Sequence, residues 1–378
     1  MAEPFKLLIN PGVVEAIALH VQRGWVGFDA TRFRQHALSG LDDLELKARV
    51  MQVARALVAT LPTDVDRAAG ALEAALGPPG LGDDLAQLRT SDAGLAGWAV
   101  WPLTEAIALL AAEAAPERGL QALHAMTQRL TAEFAIRPFL IRHPALSLAT
   151  LSRWVSDPSA HVRRLVSEGS RPRLPWGLRL QALVDDPTPT LPLLRALQDD
   201  PSAYVRRSVA NHLNDIAKDH PTQVAQWLAE HLPGASAQRR ALLRHASRSL
   251  VKQGDAAVLA AWGLGEAFAG RATLAVSPGV VAVGQTLHLQ AALCSTASRP
   301  QRLAIDYAVH HVKANGSTAP KVFKGWVLEL APGELRQLEK RHSMKAVTTR
   351  RYHPGAHGLD LRINGVVVAE AGFTLTPG

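Results

Sequence analysis

The chain contains one cysteine, Cys294, in 378 residues. A single thiol closes no internal disulfide, so the fold must stand on packing alone, and a reducing compartment suits it. No stretch of about 18 or more apolar residues is free of charge, which argues against a membrane span. The opening residues, MAEPFKLLINPG, show no basic segment followed by an apolar one. A secretory signal is therefore not expected, and the cytoplasm is the expected location. Cysteine and histidine spacing suggests no zinc site, and neither a metal nor a small-molecule cofactor is expected. Four catalytic signatures are missing as well: the phosphate loop GxxxxGK[ST], the GxSxG elbow, HExxH, and a dinucleotide fingerprint after a strand.

What is present is ordinary in amount and unusual in arrangement. Apolar residues make up 47% of the chain and charged residues 20%, typical of a globular protein with room for two or three domains. The net charge of +8 is unevenly placed. Residues 1–136 carry 11 Lys and Arg against 16 Asp and Glu, residues 137–270 carry 17 against 11, and residues 271–378 carry 13 against 6. A basic stretch following an acidic one favours a polyanionic partner, most simply nucleic acid.

Up to about Gly270 the pattern is Ala, Leu, Arg and Glu at helical spacing, with Pro or Gly at intervals. Helices are predicted from about Leu44 to Leu61, over Leu103–Ala114 and from Gln121 to Ile136, the last stopped by Pro138. Others follow over Leu146–Ser156, Ala160–Ser167, Pro192–Leu197, Ala203–Ala217, Thr222–Leu232 and Gln238–Gln253, with a loop across 77–84. Asp157–Val166 recurs 43 residues later as Asp200–Val209, identical at eight of ten positions. Short helices with such a repeat suggest a HEAT-like α-solenoid over 1–269. Beyond that the period changes to two, in Thr286–Leu293, Leu303–Val309 and Leu359–Ile363. Asn315-Gly316 and Asn364-Gly365 signal tight turns, and Tyr352 resembles a tyrosine corner. An immunoglobulin-like β-sandwich is expected over 270–378.

On a helical wheel Val162, Leu165 and Val166 form the core stripe of the first repeat, and Arg164 and Glu168 face away from it. In the second repeat Arg207, Asn211 and Asp215 occupy the corresponding face. Arg129, Glu133 and Arg137 give the same spacing one unit earlier. Stacking would bring Glu133, Glu168 and Asp215 together among arginines. Each pair alone reads as a surface ion pair of a few tenths of a kcal/mol; the recurrence reads as a groove. Trp176, in a Pro-flanked segment after a helix, is open to two readings: a core plug, or a ring offered to a cationic or planar ligand. Trp154 is expected in the core and His310-His311 on the surface of a strand.

Thr131–Leu140 and Val162–Trp176 resemble AlkC, within the AlkC/AlkD HEAT-like-repeat DNA glycosylases. Leu44–Val50, Trp98–Pro102 and Asp200–His212 extend the likeness, and the C-terminal region is similar to the immunoglobulin-like domain of one AlkC subgroup. The resemblance implies a monofunctional glycosylase that releases 3-methyladenine and 3-methylcytosine from double-stranded alkylated DNA. It implies Glu133, Glu168, Asp215 and Trp176 as catalytic residues. Arg137, Arg163, Arg164, Arg171, Arg173, Arg206 and Arg207 are the candidate DNA-binding residues, and a monomer is expected. The alternatives are a non-catalytic HEAT-repeat scaffold using the same basic face, for nucleic acid or a protein partner, or an RNA-binding module.

Overall fold

The computed structural model describes residues 5–80, 82–84, 87–347 and 351–378; Leu81, in the loop predicted across 77–84, lies outside them. The first helices are α1 (Pro11–Gly24), α2 (Ala30–Leu38), α3 (Leu46–Val58), α4 (Val65–Ala74), α5 (Val100–Ala111) and α6 (Pro116–Thr127). Next come α7 (Arg137–Arg142), α8 (Pro144–Trp154), α9 (Ala160–Gly169), α10 (Gln181–Asp185), α11 (Leu191–Leu197) and α12 (Ala203–Ile216). The last four are α13 (Pro221–His231), α14 (Ala237–Ala246), α15 (Arg248–Gln253) and α16 (Ala256–Ala261). None is long and apolar enough to cross a membrane.

Helix starts follow the residues that can satisfy free backbone N–H groups. Asn10, Asp29, Asp64 and Asp255 each accept such a bond at the head of α1, α2, α4 and α16. The two Asp-Pro-Ser motifs act alike: Asp157 accepts from Ser159 N–H and Asp200 from Ser202 N–H, both at 2.8 Å. Around α5, apolar on nearly every side, pack α3, α4 and α6. The repeat helices lie next to one another, α9 against α12 and α12 against α14.

Two helix predictions need correction. The helix predicted through Ile136 ends at Thr127, and residues 133–136 form turns. Pro138 does not stop a helix; it stands in the first turn of α7, where a missing N–H costs nothing. The helix predicted over Gln238–Gln253 is two, α14 and α15, separated at Ser247, whose hydroxyl oxygen accepts from the Trp262 indole N–H at 3.0 Å.

The strands are β1 (Gly270–Ser277), β2 (Val280–Ala282), β3 (Thr286–Ser295), β4 (Gln301–Val312), β5 (Thr318–Leu330), β6 (Leu335–Ser343), β7 (Gly355–Ile363) and β8 (Val366–Thr376). They form a three-stranded sheet, β1-β3-β6, and a five-stranded sheet, β2-β8-β7-β4-β5. Alternating residues fill the space between, with Leu287, Leu289, Tyr307, Leu359 and Phe373 in one cluster and Leu293, Leu303, Ile305 and Leu361 in another. Tyr352 packs at the edge of the first cluster. His311, expected at the surface, is buried between the rings of Tyr352 and His357.

The residues group into two compact units. One holds 1–219 with 236–246; the other holds 220–235 with 247–378, so that α13, α15 and α16 belong with the strands. Within this second unit the β7–β8 turn is tied down closely. Asn364 and Gly365 both have positive φ, +50° and +83°, as a two-residue hairpin turn of the favoured twist requires. The Asn364 side chain accepts from Ala304 N–H and donates to the Glu266 carbonyl, both at 2.9 Å. A Cβ at Gly365 would overlap the Cα of Gly254, the left-handed residue ending α15. Gly365→Ala is therefore expected to destabilise this unit by roughly 2–4 kcal/mol, from backbone strain and overpacking together. Denaturant unfolding of the full-length variant measures this, and a loss below about 1 kcal/mol would show that the approach is not tight.

Candidate active site

The three carboxylates singled out by spacing converge, and two arginines join them into one line. Arg164 donates to Glu133 Oε2 at 2.7 Å and lies 3.7 Å from Glu168 Oε1. Arg171 donates to Glu168 Oε1 at 2.6 Å and to Asp215 Oδ2 at 2.8 Å. Lys218 closes the far end on Asp215 Oδ1 at 2.8 Å. Charges therefore alternate along Glu133, Arg164, Glu168, Arg171, Asp215 and Lys218. Glu168, Arg171 and Asp215 are buried. Ionised groups at such depth are tolerated only when each has partners of opposite sign.

The local folding explains how these groups arrive together. Arg164 and Glu168 are one turn apart on α9, and Arg171 follows just beyond its end. Asp215 stands in the last turn of α12. Glu133 comes from the turn before α7, not from a helix face, and Thr131 donates to its Oε2 at 2.9 Å. The helical wheel thus gave the right neighbour for Glu133 through the wrong local geometry. Ser208 donates to Glu168 Oε2 at 2.6 Å. It replaces Leu165 of the first repeat, and a hydroxyl in an otherwise apolar stripe was the available signal for it. Burial by itself would raise the Glu168 carboxyl, but Arg164, Arg171 and the Ser208 hydroxyl outweigh it and hold the group below the ordinary glutamate value. It is a carboxylate at neutral pH.

Glu133, Glu168 and Arg171 line an open cavity of about 800 Å³. Trp98, Trp101, Phe134 and Trp176 supply its aromatic walls. Trp101 stacks on Phe134 with ring centroids 5.2 Å apart, and its indole N–H donates to Glu105 at 3.2 Å. Trp98 and Trp176 stay accessible, at 42% and 68% exposure, so Trp176 is not a core plug. Trp98, Trp101 and Phe134 were not singled out as site residues, although the Trp-Ala-Val-Trp-Pro motif carries two of them. Asp215 does not line the cavity; it reaches the site through Arg171. Trp154, expected in the core, is half-buried against the His124 ring.

The seven arginines expected on phosphate divide differently. Arg137 is fully buried, and its guanidinium donates to the carbonyls of Leu178, Gly169 and Pro172. It cannot reach a phosphate and instead ties the segment after α9 to α7. Arg163 forks onto Asp200 at 2.6 and 3.0 Å and also donates to the carbonyls of Asp157 and Pro158. Arg206, its repeat counterpart, donates to the matching carbonyls of Asp200 and Pro201. These two hold repeat geometry. Arg173 forks onto Asp219, both bonds at 2.7 Å. Arg164 and Arg171 belong to the charge line, Arg164 also lying 4.8 Å from the Tyr204 ring centre. Arg207 is exposed, with no hydrogen-bond partner among the described residues. Among those residues no cluster of His, Cys, Asp and Glu is placed to hold a metal ion.

His212, fully buried beside the charge line, lies 2.9 Å from the Ser167 carbonyl through Nδ1. Burial pushes it down to about 4. Its unfolded counterpart protonates near 6.5, so the folded state loses stability as pH falls from about 6.5 to 4 and regains none below. This amounts to about 2 kcal/mol by pH 5 and about 3 kcal/mol by pH 4. His212→Asn retains a donor but removes the titration. Urea unfolding at pH 7 and pH 5 should show a steeper loss for wild type than for the variant; equal losses would refute the contribution.

Comparisons with known proteins extend over the whole chain. Residues 271–377 match the family described as "Uncharacterised protein YhaZ, C-terminal Ig-like domain". The chain is 35% identical over 371 residues to the protein YhaZ of Bacillus subtilis (strain 168), covering 97% of this chain and 98% of that one. Among solved structures it is similar to the Pseudomonas fluorescens alkylpurine DNA glycosylase AlkC bound to DNA containing an abasic site analog. The TM-score is 0.89 and the identity 34%, over 99% of this chain and 100% of the other.

Proposed function

The chain belongs to the AlkC family, in the subgroup with a C-terminal immunoglobulin-like domain, and on that premise we propose that it is a DNA glycosylase acting on alkylated bases. Its substrates in this reading are cationic N3-methylated bases, 3-methyladenine and 3-methylcytosine, in double-stranded DNA. The observation that carries the reading is the pairing of two carboxylates, Glu133 and Glu168, with accessible tryptophans on one cavity wall.

The chemistry fits that wall. A methylated N3 makes the base cationic, so departure of the base neutralises it while the sugar gains oxocarbenium character. Carboxylates held ionised and aimed at that carbon stabilise the moving charge without having to reorganise. Glu168 is such a group, fixed through both oxygens by Arg171 and Ser208. Glu133 commits Oε2 to Arg164 and Thr131, and Oε1 has no hydrogen-bond partner among the described residues, which leaves an oxygen to orient water. Asp215 supports Glu168 by sharing Arg171. Trp176 offers its face to the cationic nucleotide. Arg207, and Arg173 after exchange of Asp219 for phosphate, take the DNA backbone.

In this reading the catalytic groups lie within residues 1–269 and the sandwich spans 270–378, in a protein that acts as a monomer without metal or cofactor and leaves an abasic site. A HEAT-repeat scaffold binding through the same face predicts no base release. Incubation with methylated duplex DNA should liberate 3-methyladenine and 3-methylcytosine. Glu133→Gln and Glu168→Gln should slow single-turnover release about 100- to 1,000-fold, in the range of lost preorganised electrostatic groups, with DNA affinity unchanged or raised. Release at the wild-type rate by both variants would overturn the assignment of these residues, and no release by wild type would overturn the glycosylase reading.

A further inference from the structure

Trp176 occupies a backbone position that most side chains avoid. Gly177 donates its N–H to the Leu174 carbonyl at 3.1 Å, closing a turn over Leu174–Gly177. Pro175 stands second in this turn, and Trp176 stands third with φ of +64°. This is the pattern of a type II turn, whose third residue is ordinarily glycine because the left-handed region crowds the Cβ of an L residue. A glycine is present, but one place later, at Gly177. Packing does not force the indole into this conformation, since the residue is 68% exposed. A strained, exposed aromatic at the edge of a cavity needs a specific restraint.

Two cations restrain the segment, at different places. Arg137 holds the carbonyls of Gly169, Pro172 and Leu178, which lie on either side of the turn. Within the turn Lys47, in the first turn of α3, donates from Nζ to the Trp176 carbonyl at 2.7 Å. The bond links positions 129 residues apart in sequence. Lys47, Trp101 and Trp176 also line a second hollow of about 550 Å³. Trp176 thus borders both hollows, the cavity with Glu133 and Glu168 and the one with Lys47, and its carbonyl is held by Lys47. Holding that carbonyl fixes ψ of Trp176 and with it the direction in which the Cα–Cβ bond points.

We propose that Lys47 is a positioning residue that acts through Trp176, its hydrogen bond to the Trp176 carbonyl holding the turn in the conformation that presents the indole to the cavity. The inference rests on the glycosylase reading for its kinetic consequence, and on geometry alone for its structural one. An ångström of misplacement in a reacting complex can lower a rate by about 100-fold.

The two parts are separately testable in the full chain. Labelling with 5-fluorotryptophan gives a ¹⁹F resonance for Trp176, assigned by its loss in Trp176→Phe. In Lys47→Met that resonance should shift or broaden, whereas Lys47→Arg, which keeps a donor, should restore it. An unchanged Trp176 resonance in Lys47→Met overturns the proposal, whatever the activity. On methylated DNA, Lys47→Met should slow single-turnover release by about 10- to 100-fold with DNA affinity within about twofold of wild type. In a Trp176→Ala background the same substitution should add less than about twofold. An equal loss in both backgrounds, or a weakened affinity in place of a slower step, overturns the proposal in favour of a direct DNA contact. If wild type releases no base while the resonance responds, the glycosylase reading fails and the restraint on Trp176 stands.

Discussion

Ionised carboxylates can be kept inside a protein only if cations separate them, and the alternation from Glu133 to Lys218 satisfies that condition. Arg164 and Arg171 each lie between two acids, so neither can be removed without leaving like charges adjacent in a poorly solvated place. The line also explains the elements that feed it. α9 must end where Arg171 can turn back, α12 must run long enough to deliver Asp215, and the turn before α7 must put Glu133 within reach of Arg164. Apolar residues of similar volume would hold such an interior at least as well. What the ion pairs add is position: they fix Glu133 and Glu168 on the cavity wall.

The aromatic side of the cavity is built on a different constraint. Trp101 is anchored by stacking and by Glu105, whereas Trp176 is carried by a turn with positive φ whose carbonyl is held by Lys47. Fully buried Arg137 gives up any contact with solvent to hold three carbonyls around that turn. Rigid carboxylates and an exposed but restrained indole thus meet across one cavity, the first secured by ion pairing and the second by backbone hydrogen bonds.

Much of the architecture was legible because local signals agreed with one another. The Asp-Pro-Ser starts, the alternation of Leu359–Ile363 and the Asn364-Gly365 turn each depend on near neighbours, and the structure has a helix, a strand and a hairpin there. Pro138 was misread because proline disrupts a helix interior yet suits a first turn, and only the end of α6 at Thr127 distinguishes the two. Arg163 and Arg206 looked like ligand-binding cations for a related reason. Arg163 and Arg206 repeat in sequence because they bind repeated carbonyls, and a recurring cation looks the same whether it serves the repeat or a ligand.

The sequence by itself determined the passage from helices to strands and the 43-residue repeat, which follow from periodicity and from residue types whose preferences act over a few positions; Trp176 as a site residue came from the resemblance to AlkC. Only the tertiary structure decided that Asp215 sits behind Arg171 and not on the cavity wall, that Arg137 is buried, that Ser208 completes the shell of Glu168, and that Lys47 meets Trp176. Each of these depends on distances between segments from 32 to 129 residues apart, and a charge pattern gives the sign of a partner without saying which partner comes within reach.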